Sequence, residues 1–133
     1  MSAVTLASLP LVGNEQVLWQ LTGANMNSTA DQAFTKLASF TNYVLSRIRV
    51  NNASTSLTLA AGGIYNTASK GGAPIVAATQ LYSGLTGSTL GLDLTLAAFG
   101  AGLQTGANLF LSLTTGQGGA STADFYAIGV ALS

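Results

Sequence analysis

The sequence predicts an all-β protein, folded as a single antiparallel β-sandwich that is jelly-roll-like in arrangement. Apolar and polar residues alternate in several short segments, as they do in half-buried strands. Gly, Ser, Thr and Asn separate these segments, and no long segment has the 3.6-residue period of a helix. A chain of 133 residues fits one domain. We therefore expect seven or eight short strands within residues 15–133, preceded by an extended arm, residues 1–14.

In two early segments the side chains alternate with a period of two, and this pattern predicts which residues share a face of each strand. In residues 15–21, Val17, Trp19 and Leu21 point one way and Gln16, Leu18 and Gln20 the other. In residues 43–50, Val44, Ile48 and Val50 share a face with Ser46, and we expect this face to fill the core. Arg47 and Arg49 then lie on the opposite face, about 7 Å apart along the strand. Trp19 is expected in the core, and a sugar-stacking platform is the alternative.

The later part of the chain supplies the other predicted strands. Residues 90–96 place their leucines inward, as do residues 108–114. Residues 124–132 separate a face of large residues (Tyr126, Ile128, Val130 and Leu132) from a face of Ala and Gly, and the small-residue face permits close approach of another backbone or subunit. Residues 74–82 are predicted as a strand, and residues 56–60 as a short one with Leu57 and Leu59 inward. Gly62 and Gly63 indicate a tight turn or a bulge.

Charge is unusually sparse, because only 6% of residues are charged against roughly 25% in an ordinary domain. A folded monomer of this mass exposes on the order of 6,500 Å², so charges are far apart on its surface. A near-neutral protein with such a surface tends to self-associate. We expect partners to cover much of it. Four Lys and Arg residues are too few and too dispersed for a phosphate backbone, so no nucleic-acid partner is expected.

The residues for common chemistries are missing or scattered. The chain has no His and no Cys, which excludes a Ser-His-Asp triad, a Cys nucleophile and a Cys/His metal site. Asp31 or Asp124 could join loop carbonyls around calcium, but capping a turn is the favoured role for each. Ser69-Lys70-Gly71-Gly72 does not match a phosphate loop. We expect no catalytic residue, no cofactor and no metal site.

The first residues and the arginine pair are the candidate interface. Residues 1–14 include Leu6, Leu9 and Leu11, apolar side chains that favour an arm lying on a neighbouring subunit over a floppy terminus. Arg47 and Arg49 either face solvent or reach carboxylates on a partner. No apolar run is long enough for a membrane helix, and no basic region precedes an apolar stretch, so no membrane partner or secretion signal is expected.

Several segments resemble small structural proteins of tailed bacteriophages, over most of residues 15–133. They are residues 43–58, 60–65, 69–72, 75–80, 109–118 and 122–130. The chain looks most like the trimeric β-sandwich cement, or decoration, proteins of phage capsids. Similar sandwiches form distal domains of tailspikes and tail fibres.

The resemblance implies a non-catalytic virion protein that forms a homotrimer, binds the major capsid protein on the outer capsid surface and stabilises the capsomer lattice. It would be made in the host bacterial cytoplasm. The alternative is a distal tailspike or fibre domain that binds a receptor or a host surface glycan.

Overall fold

The computed structural model describes residues 14–86 and 91–132. Strands are the regular secondary structure of this part of the chain, which confirms the predicted all-β class. The strands are β1 (Glu15–Asn25), β2 (Gln32–Ala33), β3 (Thr35–Lys36), β4 (Asn42–Asn51), β5 (Ala61–Tyr65), β6 (Gly91–Leu94), β7 (Leu103–Thr105), β8 (Phe110–Thr115) and β9 (Thr122–Ala131). Of the predicted arm, residues 1–13 lie outside the described residues, as do the three leucines of its candidate interface.

Two antiparallel sheets pack against each other as a β-sandwich. The larger sheet has the order β3-β1-β9-β4-β6, with β7 also paired to β4. The smaller sheet has the order β2-β8-β5. Strand β9 lies between β1 and β4 and pairs with both along most of its length. The last described strand is therefore the centre of the larger sheet, and its two faces define the inside and the outside of the sandwich.

The core lies between the sheets and draws side chains from both. Ile48 and Phe125 come from the larger sheet, and Ile64 and Leu111 from the smaller one. Aromatic rings join the layers: Phe125 packs edge-on against both Phe34 and Tyr82, with ring centroids 6.1 Å and 5.8 Å apart. Trp19 is buried, as predicted, in a second cluster with Phe40 and Tyr43.

Two β-bulges change the faces predicted for β1 and β4. The register of β1 against β9 shifts between Val17 and Trp19, so Leu18 and Trp19 are both buried and Val17 points outward. The register of β4 shifts between Leu45 and Arg47. The prediction that Val44 fills the core with Ile48 and Val50 is therefore wrong.

The bulge in β4 contains Ser46, whose hydroxyl donates to the carbonyl of Ile128 at 3.0 Å. Because one extra residue reverses the alternation, Tyr43 and Leu45 are inward on one side of the bulge and Ile48 and Val50 on the other. Val44 lies on the outside, half-buried. Both bulges lie beside Ile128, so the two neighbours of β9 are bent at the same level.

The alternation predicted for β9 is present, and the small residues form its inner face. Ala127, Gly129 and Ala131 are buried against the core, while Tyr126, Ile128 and Val130 point away from it. The small-residue face thus allows the chain's own elements to approach. At Gly129, a Cβ would lie 2.1 Å from the Val44 carbonyl oxygen. The large residues are left for the outside of the sandwich.

Some predicted strands are wrong. Residues 74–82 form isolated bridges at Val76 and Leu81 and no continuous strand. Residues 56–60 form no strand, and Leu59 is 62% exposed although Leu57 is buried. The two leucines differ because this segment is irregular and does not hold a period of two. The bulge predicted at Gly62 is present as a register shift against β8.

Candidate interaction surface

The outer face of the larger sheet is the best candidate for a functional surface. Side chains directly opposite each other on paired strands share a face, so the register places outward residues of β1, β9, β4 and the edge strands β7 and β6 in rows. The rows are Glu15–Val130–Val44–Leu103, then Val17–Ile128–Arg47, then Gln20–Tyr126–Arg49–Asp93. We call this set the outer face.

One half of the outer face is apolar. Val17 is 38% exposed and Leu103 is 61% exposed, and both are large apolar residues. Val44, Ile128 and Val130 lie between them and are half-buried by their neighbours in the sheet. The five side chains form a continuous band across four strands. A contiguous apolar surface of this kind marks an interaction site more often than isolated exposed leucines do.

The other half of the outer face is polar, and its charges have partners within the chain. Arg49 forms a salt bridge with Asp93 at 3.1 Å. Near the start of β9, Asp124 accepts hydrogen bonds from the Gly23 amide at 2.7 Å and the Asn52 side chain at 3.1 Å. The polar half is therefore held by contacts that the folded chain makes by itself.

The two arginines predicted as interface residues lie on the same outer face but differ in their contacts. Arg49 pairs with Asp93, so its charge is already compensated. Arg47 is exposed, and within the described residues no carboxylate forms a salt bridge with it. Of the predicted pair, Arg47 is the residue whose guanidinium is free to reach a carboxylate on a partner.

Glu15 is a surface residue that the sequence did not single out. It lies opposite Val130 at the start of β1 and is exposed, and it too makes no salt bridge to a described residue. The apolar members Val17 and Val44 were also missed, because the period-two pattern assigned both to the core face. Ser46, a small polar residue between Leu45 and Arg47, was the only local sign of the bulge in β4.

A second polar cluster joins the loop after β1 to the turn before residue 74. The Asp31 carboxylate accepts hydrogen bonds from the Ser69 amide at 2.7 Å and from the Ser112 hydroxyl at 2.8 Å. Lys70 Nζ donates to the Thr29 carbonyl at 3.1 Å. The amide and the hydroxyl lower the pKa of Asp31, and the nearby Lys70 adds to this effect.

This cluster is a structural clamp in its observed geometry. Ser69 and Lys70 both have positive φ angles, 59° and 58°, a conformation that costs free energy for residues other than Gly. The Asp31 carboxylate offsets that cost by holding the Ser69 amide. Ser112 is fully buried, so its hydroxyl cannot meet a substrate from solvent. Asp31 therefore caps a turn, as the sequence favoured.

An open groove of about 370 Å³ lies beside the smaller sheet. Its lining is apolar or uncharged: Ala77, Thr79, Gln80, Leu81, Thr95, Leu96 and Ala97. The Gln80 side chain crosses it, accepting a hydrogen bond from the Thr95 amide at 3.2 Å. The groove holds no titratable side chain that could take part in acid–base chemistry.

The described part of the chain offers few groups for metal binding or for acid–base chemistry. No three carboxylates come together there to hold a metal ion. Residues 14–86 and 91–132 include no helix that is long and apolar enough to cross a membrane. Burial raises the pKa of Tyr43 to about 12, so this phenol stays protonated at neutral pH.

Comparison with protein-family models, with curated proteins and with solved structures finds no match for this chain.

Proposed function

We propose that this chain is a non-catalytic structural protein of a bacteriophage virion, of the capsid cement type. The observation that carries the proposal is the outer face, where a partly exposed band of apolar side chains crosses four strands of the larger sheet. A protein whose surface has few charges and an apolar band is suited to contact with other subunits. The resemblance of the sequence to phage cement proteins gives the assembly its proposed identity.

The distribution of charge supports an assembly role. Of the eight charged residues in the chain, Arg49 and Asp93 pair with each other, and Asp31 and Asp124 hold backbone amides. Few charges remain whose desolvation would oppose contact with a neighbour. Hydroxyl and amide side chains can exchange hydrogen bonds with water for hydrogen bonds with a partner at small net cost.

The proposed mechanism is multivalent clamping. Homotrimers would sit on the outer capsid surface where capsomers meet, and each subunit would contact the major capsid protein. Once one subunit has bound, the others bind at an effective concentration in the millimolar range. Weak individual contacts would then add up to a tight clamp on the intact lattice. The chain would be made in the host bacterial cytoplasm and would act on the assembled head.

Native mass spectrometry and binding to empty phage heads test the proposal. We expect a trimer by mass, and saturable co-sedimentation of the protein with heads but not with dissociated capsomers. Bound heads should resist heat or chelator treatment better than unbound heads. A stable monomer with no affinity for heads would contradict the proposed function.

The alternative role, a receptor- or glycan-binding tip of a tailspike or fibre, has less support. Trp19, the residue proposed as a sugar-stacking platform, is 1% exposed and packs against Phe40 and Tyr43. It cannot stack on a sugar without disruption of the core. Saturable binding on a host glycan array, together with competition for phage adsorption, would favour this alternative over capsid binding.

A further inference from the structure

We propose that the outer face is the surface through which copies of this chain associate, with Glu15 of one copy forming an ion pair with Arg47 of the next. The proposal rests on the assembly role and deepens it, because it names the surface that joins the subunits. The occupant of the apolar band is then a second copy of this chain, seated on Val44, Ile128 and Val130.

The positions of the two charges make the outer face complementary to a copy of itself. Glu15 lies on β1 and Arg47 on β4, on opposite sides of the central strand β9. They lie one row apart, which is about 7 Å along the strand. A rotation axis parallel to the strands brings the β1 side of one copy against the β4 side of the next. Each Glu15 then comes within reach of a neighbouring Arg47.

The same contact is compatible with cyclic symmetry. Around a two-fold axis the pair forms twice, and around a three-fold axis it forms three times, with no charge left over. Ile128 and Val130, on the central strand, would lie nearest to the axis and become the most buried. The three-fold arrangement is the one that agrees with the proposed trimer.

Charge favours a second copy over a strongly charged partner. Among the described residues, Glu15 and Arg47 are the outer-face charges with neither a salt bridge nor a hydrogen bond inside the chain, and they have opposite signs. A strongly acidic or basic partner would pair with one of them and repel the other. A second copy satisfies both. Its own outer face is also apolar on the same half, so apolar side chains meet apolar side chains.

The size of the face sets the expected affinity. Four strands span about 19 Å, and the three rows of outward residues extend over about 20 Å along the strands, which gives an area of about 400 Å². A stable interface contributes about 800 Å² from each partner. We therefore expect reversible association with a dissociation constant in the micromolar range, not a permanent complex.

Sedimentation equilibrium between about 1 and 200 µM tests the proposal on the full chain. The wild-type protein should associate reversibly over this range. Glu15→Lys and Arg47→Glu should each weaken association at least tenfold, because each variant replaces an attractive pair with a repulsive one. An equimolar mixture of the two variants should recover a measurable part of the association, because the reversed charges restore both pairs of a mixed dimer and two of the three pairs of a mixed trimer. Circular dichroism of each variant checks that the fold is kept.

A cross-linking pair of variants gives an independent readout. The natural chain has no Cys, so a single introduced thiol reports one position. Val130→Cys should form disulfide-linked dimers under mild oxidation, at protein concentrations where the wild type associates. Leu59→Cys, which is 62% exposed and lies outside the outer face, is the matched control and should stay uncross-linked.

Several results would overturn the inference. They are a wild-type protein that stays monomeric up to about 200 µM, a mixture of charge variants that does not recover association, and equal cross-linking of the two cysteine variants. Protection of the Val130→Cys thiol from oxidation in monomeric protein would overturn the inference too. Residues 1–13 of the same chain, and not a second copy, would then cover the apolar band. Head binding by a wild-type monomer would refute the self-association surface but leave the capsid role standing. Self-association without head binding would refute the capsid role but leave the self-association surface standing.

Discussion

Gly129 is the residue at which the geometry of the larger sheet is most sensitive to one added methyl group. It lies on the inner face of β9 opposite Leu45, next to the bulge in β4. A Cβ at this position would lie 2.1 Å from the Val44 carbonyl oxygen and 2.9 Å from the Leu45 Cα. Both obstacles are backbone atoms, so no side-chain rotation relieves the clash. Gly129→Ala therefore requires β4 and β9 to move apart by about 1 Å.

The expected cost follows from what that movement disturbs. Overpacking a well-packed interior costs about 1–3 kcal/mol. Each weakened ladder hydrogen bond between β4 and β9 adds up to about 1 kcal/mol. We expect Gly129→Ala to lower the free energy of unfolding by about 3 kcal/mol, a large fraction of the roughly 5–15 kcal/mol that stabilises a typical domain. For a domain of this size, the melting temperature should fall by about 10 °C.

Urea unfolding followed by the fluorescence of Trp19 measures this change, because Trp19 is the single tryptophan and is buried. Gly119→Ala is the matched control. No atom lies within 4 Å of a Cβ built there, and its φ is not in the left-handed region. The control should change stability by less than about 0.5 kcal/mol. If the two variants unfold within 0.5 kcal/mol of each other, the close approach of β4 to Gly129 is wrong.

Three further predictions concern contacts of the folded chain. Because the folded-state pKa of Asp31 is lowered, the stability that its carboxylate contributes is present above the unfolded pKa of about 4 and is lost as pH falls through the folded pKa. Asp31→Asn should therefore reduce the loss of stability at acid pH, measured by urea titrations between about pH 2 and 7. An unchanged pH profile would contradict the clamp. Lys36 Nζ lies 4.4 Å from the Phe40 ring centroid and 5.7 Å from that of Trp19. Lys36→Met should therefore cost about 1 kcal/mol and shift the tryptophan emission, whereas an unaltered spectrum would refute the contact. Tyr82 is buried and its hydroxyl donates to a backbone carbonyl at 3.1 Å, so Tyr82→Phe should lower the thermal stability by about 1 kcal/mol, and a neutral calorimetric result would show that this hydrogen bond contributes nothing.

The sequence was informative where strands keep a strict period of two. Leu109, Leu111 and Leu113 are buried as the alternation of residues 108–114 predicted. The alternation of β9 was also visible, but the sequence did not indicate that its Ala and Gly residues face the core. That choice depends on how closely the bulged β4 and the smaller sheet approach β9. Such an approach is a tertiary property, which local alternation does not encode.

The candidate surface was harder to predict than the fold. Arg47 was identified from its position beside Arg49, but the sequence treated the two as equivalent. Only the register of β6 against β4 distinguishes them, because it places Asp93 opposite Arg49. Val17 and Val44 were assigned to the core because a bulge shifts every later side chain to the other face. A single extra residue in each strand thus hid two of the five members of the apolar band.

Locating the chain in intact phage particles is the most direct test of the proposed capsid role. Cryo-EM of phage particles that carry the protein would locate it to a capsid surface or to the tail. We predict density on the outside of the head, at sites where capsomers meet, with three-fold clusters of sandwiches whose outer faces point toward one another. Density confined to the tail would contradict the proposed capsid role.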